Sequence, residues 1–92
     1  MTGASFRRAG DIGVRRVGGE IFILAPDGDL VVLGNETAVC LWEAVEDGAS
    51  TVTELVEALT VTYEVSPARA SLDARDFVRK LMERTVLLAI AK

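Results

Sequence analysis

The ten residues 30–39, LVVLGNETAV, contain the change of period on which the fold turns. Leu30–Leu33 is a short apolar run suited to a strand, and Asn35, two residues on, is a good helix N-cap, so strand passes to helix across Gly34 alone. Upstream of that junction the chain is β-like. Met1–Asp11 is small, polar and basic (Arg7, Arg8) and reads as a flexible arm, leaving residues 12–92 as a single domain. Ile12–Val17 reads as a first strand ended by Gly18-Gly19, and Glu20–Ala25 as a second. Pro26-Asp27-Gly28-Asp29 is turn chemistry, with Gly28 free to take positive φ, and Leu30–Leu33 completes a three-stranded antiparallel meander.

Downstream the period becomes about 3.6 residues. Ala38, Leu41, Trp42 and Val45 fall at i, i+3, i+4 and i+7 after Asn35, giving a first helix that Asp47-Gly48 stops. Thr51 and Glu54 have capping-box spacing ahead of the stripe Val52, Leu55, Val56, Leu59 and Tyr63. Ser66-Pro67 supplies N-cap and N1 for a third helix, with Ala70, Ala74, Phe77, Val78, Leu81 and Met82 on one side. The run Val86–Ile90 either extends that helix or returns to the sheet. Strands first and three capped helices after define an α+β, winged helix-turn-helix-like fold.

Composition excludes several functions. With 92 residues there is room for one modest core, and a formal charge of −4 disfavours a protein built mainly to neutralise phosphates. The single Cys40 makes no internal disulfide, no apolar run approaches the roughly 20 residues of a membrane span, and the N-terminal segment lacks the apolar stretch of a secretory signal. The expected setting is the reducing cytoplasm. There is no His, which removes Ser-His-Asp and Cys-His arrangements, and Cys40 by itself gives no common metal or cluster ligand set. Gly18-Gly19 is not followed by a phosphate-loop or dinucleotide spacing, and Asp27 and Asp29 are turn formers. No enzyme activity, metal or cofactor is expected.

Four local features carry a resemblance. They are Asn35-Glu36-Thr37-Ala38 directly after a strand, the Asp47-Gly48 break, the Thr51-Val52 opening, and Asp73-Ala74 followed by Phe77-Val78 and Leu81. Together they make the chain resemble the PqqD family, named from pyrroloquinoline quinone biosynthesis, over about two thirds of its length. Two positions depart from the family pattern: Gly34 replaces a bulky aliphatic residue before the Asn, and Thr85 stands where Gly commonly follows the third helix. The resemblance implies a recognition element that captures the leader segment of a ribosomally made precursor peptide. It also implies delivery to a modifying enzyme such as a radical-SAM enzyme, a cyclase or a leader peptidase. In that family the leader is an added strand along the third strand, in a cleft closed by the third helix.

The residues support that role on physical grounds. An open edge strand offers unpaired N–H and C=O groups to an extended peptide. The expected binding residues are therefore Asp29, Leu30, Val31, Val32 and Leu33 on the strand. On the third helix Ala74, Val78 and Met82 are expected as the facing wall, with Arg75 and Arg79 steering an acidic leader at the rim. The plainer readings are that a four-residue apolar strand is simply core, and that the arginines lie on a solvated face diluted by Asp73, Asp76 and Glu83. Two rivals come from other classes. A helix-turn-helix with basic residues on its last helix suits a DNA major groove, yet the first two helices carry acids where phosphate contacts belong, so no nucleic-acid partner is expected. The other is an oligomerisation module whose open edge pairs with its own copy.

Overall fold

A computed structural model describes residues 5–90 of the chain. Its elements are β1 (Ser5–Arg8), β2 (Gly13–Val17), β3 (Glu20–Leu24), β4 (Leu30–Leu33), α1 (Glu36–Glu46), α2 (Val52–Thr62), α3 (Pro67–Glu83) and β5 (Leu87–Ile90). Strands β2, β3 and β4 form the expected antiparallel meander, while β1 and β5 pair in a separate two-stranded sheet. The β3–β4 turn is a three-residue loop: the Gly28 N–H donates to the Ala25 carbonyl at 3.0 Å and the Ala25 N–H to the Asp29 carbonyl at 2.7 Å. Gly28 sits at φ 95°, the left-handed position this loop requires.

The second sheet corrects the expectation of a flexible arm. Residues 1–4 of that arm lie outside the described residues, but Ser5–Arg8 is a paired strand in register with Leu87–Ile90. The cause is Phe6, the one large apolar side chain in a polar, basic segment, which is 1% exposed. Burying it contributes about 1.5–3 kcal/mol toward the cost of ordering a short strand whose backbone is also satisfied. The Phe6 N–H donates to the Ser50 carbonyl at 2.9 Å, and the Ala9 N–H to the Val86 carbonyl at 2.8 Å. The run Val86–Ile90 therefore returns as a strand.

All three helices begin where their caps predict. The Asn35 Oδ1 accepts from the Ala38 N–H at 2.8 Å, the Thr51 Oγ1 from the Glu54 N–H at 3.2 Å, and the Ser66 Oγ from the Arg69 N–H at 3.1 Å. The Glu54 carboxylate reaches one residue beyond the usual capping box, accepting from the Ser50 N–H at 2.7 Å. That bond holds the Glu54 carboxyl below its ordinary value. Helix α3 ends in a Schellman motif: the Val86 N–H donates to the Leu81 carbonyl at 2.8 Å and the Thr85 N–H to the Met82 carbonyl at 3.0 Å. Thr85 supplies the left-handed residue at φ 63°, a β-branched side chain where glycine is favoured.

The core lies between the inner face of the meander and the three helices. Ile21, Ile23 and Leu33 meet Leu41 and Trp42 of α1, Leu55 and Leu59 of α2, Ala74, Phe77 and Leu81 of α3, with Phe6 and Leu87 entering from the second sheet. One polar cluster ties strands to α1. Arg16 pairs with Glu43 at 3.1 Å and with Glu46, Arg8 lies 5.5 Å over the Trp42 ring, and Trp42 Nε1 donates to Glu46 at 3.0 Å.

Candidate functional site

Strand β4 ends the meander, and among the described residues β3 is its one neighbour in that sheet. In an antiparallel ladder, residues alternate between pairs that exchange hydrogen bonds and pairs whose N–H and C=O groups point away from each other. The Ala25–Asp29 bond fixes the phase: Val31 with Ile23 and Leu33 with Ile21 are bonded pairs, while Leu30 and Val32 turn their main-chain groups outward. The edge thus offers the N–H and C=O of Leu30 and of Val32. Val31 and Leu33 have their side chains on the core face, Leu30 and Val32 on the opposite face.

Beside that edge runs a groove whose other wall is α3. One chamber, about 390 Å³, lies between Val31–Asn35 and the Arg69–Leu81 side of α3, with Ala38, Leu41 and Phe77 giving it apolar walls. A second, about 400 Å³, continues past Leu30 to Glu83 and Arg84. Val31, Val32, Lys80 and Leu81 border both chambers. The α3 rim is charged but internally paired. Arg69 meets Asp73 at 3.4 Å, and Asp76 meets Lys80 at 3.1 Å and also Arg79. The hydrogen bond from Lys80, helped by Arg79, holds the Asp76 carboxyl below its ordinary value. At the far end Arg84 crosses to Asp29 at 2.9 Å, tying the end of α3 to the start of β4.

Asp29 pairs with Arg84 and borders neither chamber, but the other strand residues of the expected site border this groove: Val31, Val32 and Leu33 the first chamber, Leu30 to Val32 the second. The expected α3 residues do not. Ala74 and Val78 are buried in the core, Met82 is half-buried against it, and Arg75 and Arg79 are exposed without bordering either chamber. The wall is built instead from the other border of the same apolar stripe: Arg69, Asp73, Asp76, Phe77, Lys80 and Leu81. The reason is helical phase. At about 100° per residue, Val78 and Met82 leave the stripe on one side and Asp73 and Lys80 on the other, and α3 turns the second side toward β4. The sequence held no signal that set one border of the stripe above the other, since the pairing of Asp29 with Arg84 that marks this side joins residues far apart in the chain.

Fold and groove together define a small winged-helix-like domain with an open-edged sheet facing its last helix. The sequence profile of the family described as "Coenzyme PQQ synthesis protein D (PqqD)" matches residues 20–87, and the chain belongs to that family. Among solved structures, one described as "TbiB1 in Complex with the TbiA(beta) Leader Peptide" is similar over 94% of this chain and 99% of that one, with a TM-score of 0.82 and 23% identity. At that identity the likeness speaks for the fold. No curated protein matches the sequence.

Proposed function

We propose that this domain binds the leader segment of a ribosomally made precursor peptide as an added strand on β4, and presents it to a modifying enzyme. The observation that carries the reading is the outward N–H and C=O of Leu30 and Val32 beside a groove with apolar walls. An extended peptide gains affinity there from main-chain bonds whatever its sequence, and side chains of one parity enter the two chambers. Family membership supports the reading, and so does the similar protein solved with a leader peptide bound. The domain itself performs no chemistry in this scheme. The receiving enzyme is a separate protein of the radical-SAM, cyclase or leader-peptidase kind.

A DNA-binding reading gains nothing from the structure. Of the basic residues of α3, Arg69, Arg79 and Lys80 are spent in ion pairs, which leaves Arg75 without one among the described residues. The test is titration of isotopically labelled protein with synthetic leaders from precursor genes neighbouring its own. Saturable binding that slows hydrogen exchange at the Leu30 and Val32 amides is expected. Leader binding that leaves both amides exchanging freely would refute strand addition. Tight, salt-sensitive binding of a random DNA duplex would refute the leader reading.

A further inference from the structure

The meander has a second apolar surface, on the face turned away from the helices. Leu30 is 57% exposed, Val32 48%, Leu24 50% and Val17 54%, and Phe22 is half-buried among them. None of the five belongs to the core cluster or packs against it. Cross-strand pairing puts Leu24 beside Leu30 and Phe22 beside Val32 on this face, with Arg15 beyond Phe22. Folding therefore gives these side chains no burial that accounts for their apolar character. A row of large apolar residues reaching an unpaired sheet edge is also an aggregation hazard unless something covers it.

Parity identifies what reaches it. The residues whose main-chain groups point outward, Leu30 and Val32, are also those whose side chains lie on this outer face. Whichever way an added strand runs, the residues directly across from Leu30 and Val32 project to that face, and their neighbours in sequence project into the groove. We infer that the bound peptide is read on both faces at once. Every second residue fills the groove chambers, and the intervening residues pack on Leu30 and Val32 and, when long or aromatic, reach diagonally to Leu24 and Phe22. This inference rests on strand addition to β4.

The substrate class follows. An amphipathic segment, apolar at alternate positions only, would leave the outer row uncovered. The segment that fits is apolar at consecutive positions over about four residues, the length of β4. Cross-strand apolar pairs are worth up to about fivefold in affinity each. The outer face thus adds a second discrimination step to whatever the groove provides.

The experiment is a display selection of random 12-residue peptides on the full chain, run in parallel on the double variant Leu30→Thr/Val32→Thr. Threonine suits a strand at both exposed positions and, in place of Val32, keeps the β-branched shape. Wild type is expected to enrich peptides with consecutive apolar residues, and the variant peptides with alternating ones. In a selected binder, threonine at each outer-parity position should cost about three- to fivefold on wild type and nothing on the variant. Equal affinities for wild type and variant, or enrichment of alternating peptides by both, would overturn reading on the outer face while leaving strand addition intact. Selected peptides that bind without protecting the Leu30 and Val32 amides would overturn strand addition and this inference with it. Wild type sedimenting as a dimer while the variant is monomeric would assign the face to a second copy of the chain instead.

Discussion

Proline at position 32 tests the edge with one substitution. The Val32 N–H points away from β3, so Val32→Pro removes no bond of the free sheet, and proline is tolerated at edge positions whose N–H faces solvent. Bound peptide, by contrast, loses a donor, and the carbonyl it served is left unpaired inside the new ladder. That costs about 1–3 kcal/mol, or roughly fivefold to over a hundredfold in affinity. The neighbouring position is the internal control. The Val31 N–H bonds to the Ile23 carbonyl, so Val31→Pro breaks the sheet itself and should lower stability by about 1–3 kcal/mol. Val32→Thr separates loss of the side chain from loss of the donor. Urea denaturation followed at Trp42 gives stability, and calorimetric titration of a cognate leader gives affinity. The expected pattern is a folded Val32→Pro protein whose affinity for the leader is lower by that factor, and a destabilised Val31→Pro protein. A Val32→Pro protein that is fully folded and binds leader at wild-type strength would refute the edge-strand argument.

Three further experiments have expected outcomes. Thr85→Gly relieves the left-handed β-branched residue at the end of α3, and should raise stability by about 0.5–1 kcal/mol after the added freedom of the unfolded chain is deducted, a gain of roughly 2–8 °C in Tm. An unchanged or lower Tm would mean the strain is absent. Gln at both Arg75 and Arg79 should leave leader association rates unchanged, because neither side chain borders the groove, whereas Lys80→Gln or Arg84→Gln should alter them by several-fold at low salt in stopped-flow measurements. Glu54 and Asp76 are held below their ordinary values of 4.5 and 3.8 in the folded state, so their contribution to stability is full above those values and is lost as pH falls through the lower folded ones. Urea midpoints should fall below about pH 4, with Glu54→Gln and Asp76→Asn each flattening that decline.

How much of this was legible follows from how local each signal is. Asn35, Thr51 and Ser66 mark helix starts through bonds to residues three positions on, so their caps could be read directly. The meander was legible for the same reason, since its turns at Gly18-Gly19 and Gly28 lie between adjacent strands. The β1–β5 pair was not. Its partners stand at opposite ends of the chain, and β1 carries one buried apolar residue in four, too few to show a period. The α3 wall of the site was half legible. The period of α3 gives the direction of its apolar stripe, but both borders of a stripe look alike in one dimension. Which border faces β4 depends on how α3 seats across the other helices, a relation no single-helix pattern contains.

The charges along the groove bear on what kind of ligand it can select. Arg69 with Asp73 and Lys80 with Asp76 neutralise each other within the helix, and Arg84 with Asp29 does so across the groove. Such exposed pairs contribute little to stability, but they leave the rim with balanced charge. A ligand of strong single charge, whether a nucleic acid or a highly acidic peptide, meets no extended field there that would steer it. What the site offers without competition is four main-chain groups of β4, apolar chamber walls at Phe77 and Leu81, and the outer row at Leu30 and Val32. Selection by main-chain pairing and apolar fit predicts binding with weak salt dependence and a negative heat-capacity change. Isothermal titrations at several temperatures and at low and high salt measure both. A steep salt slope with no heat-capacity change would move the recognition from the strand edge to the charged rim.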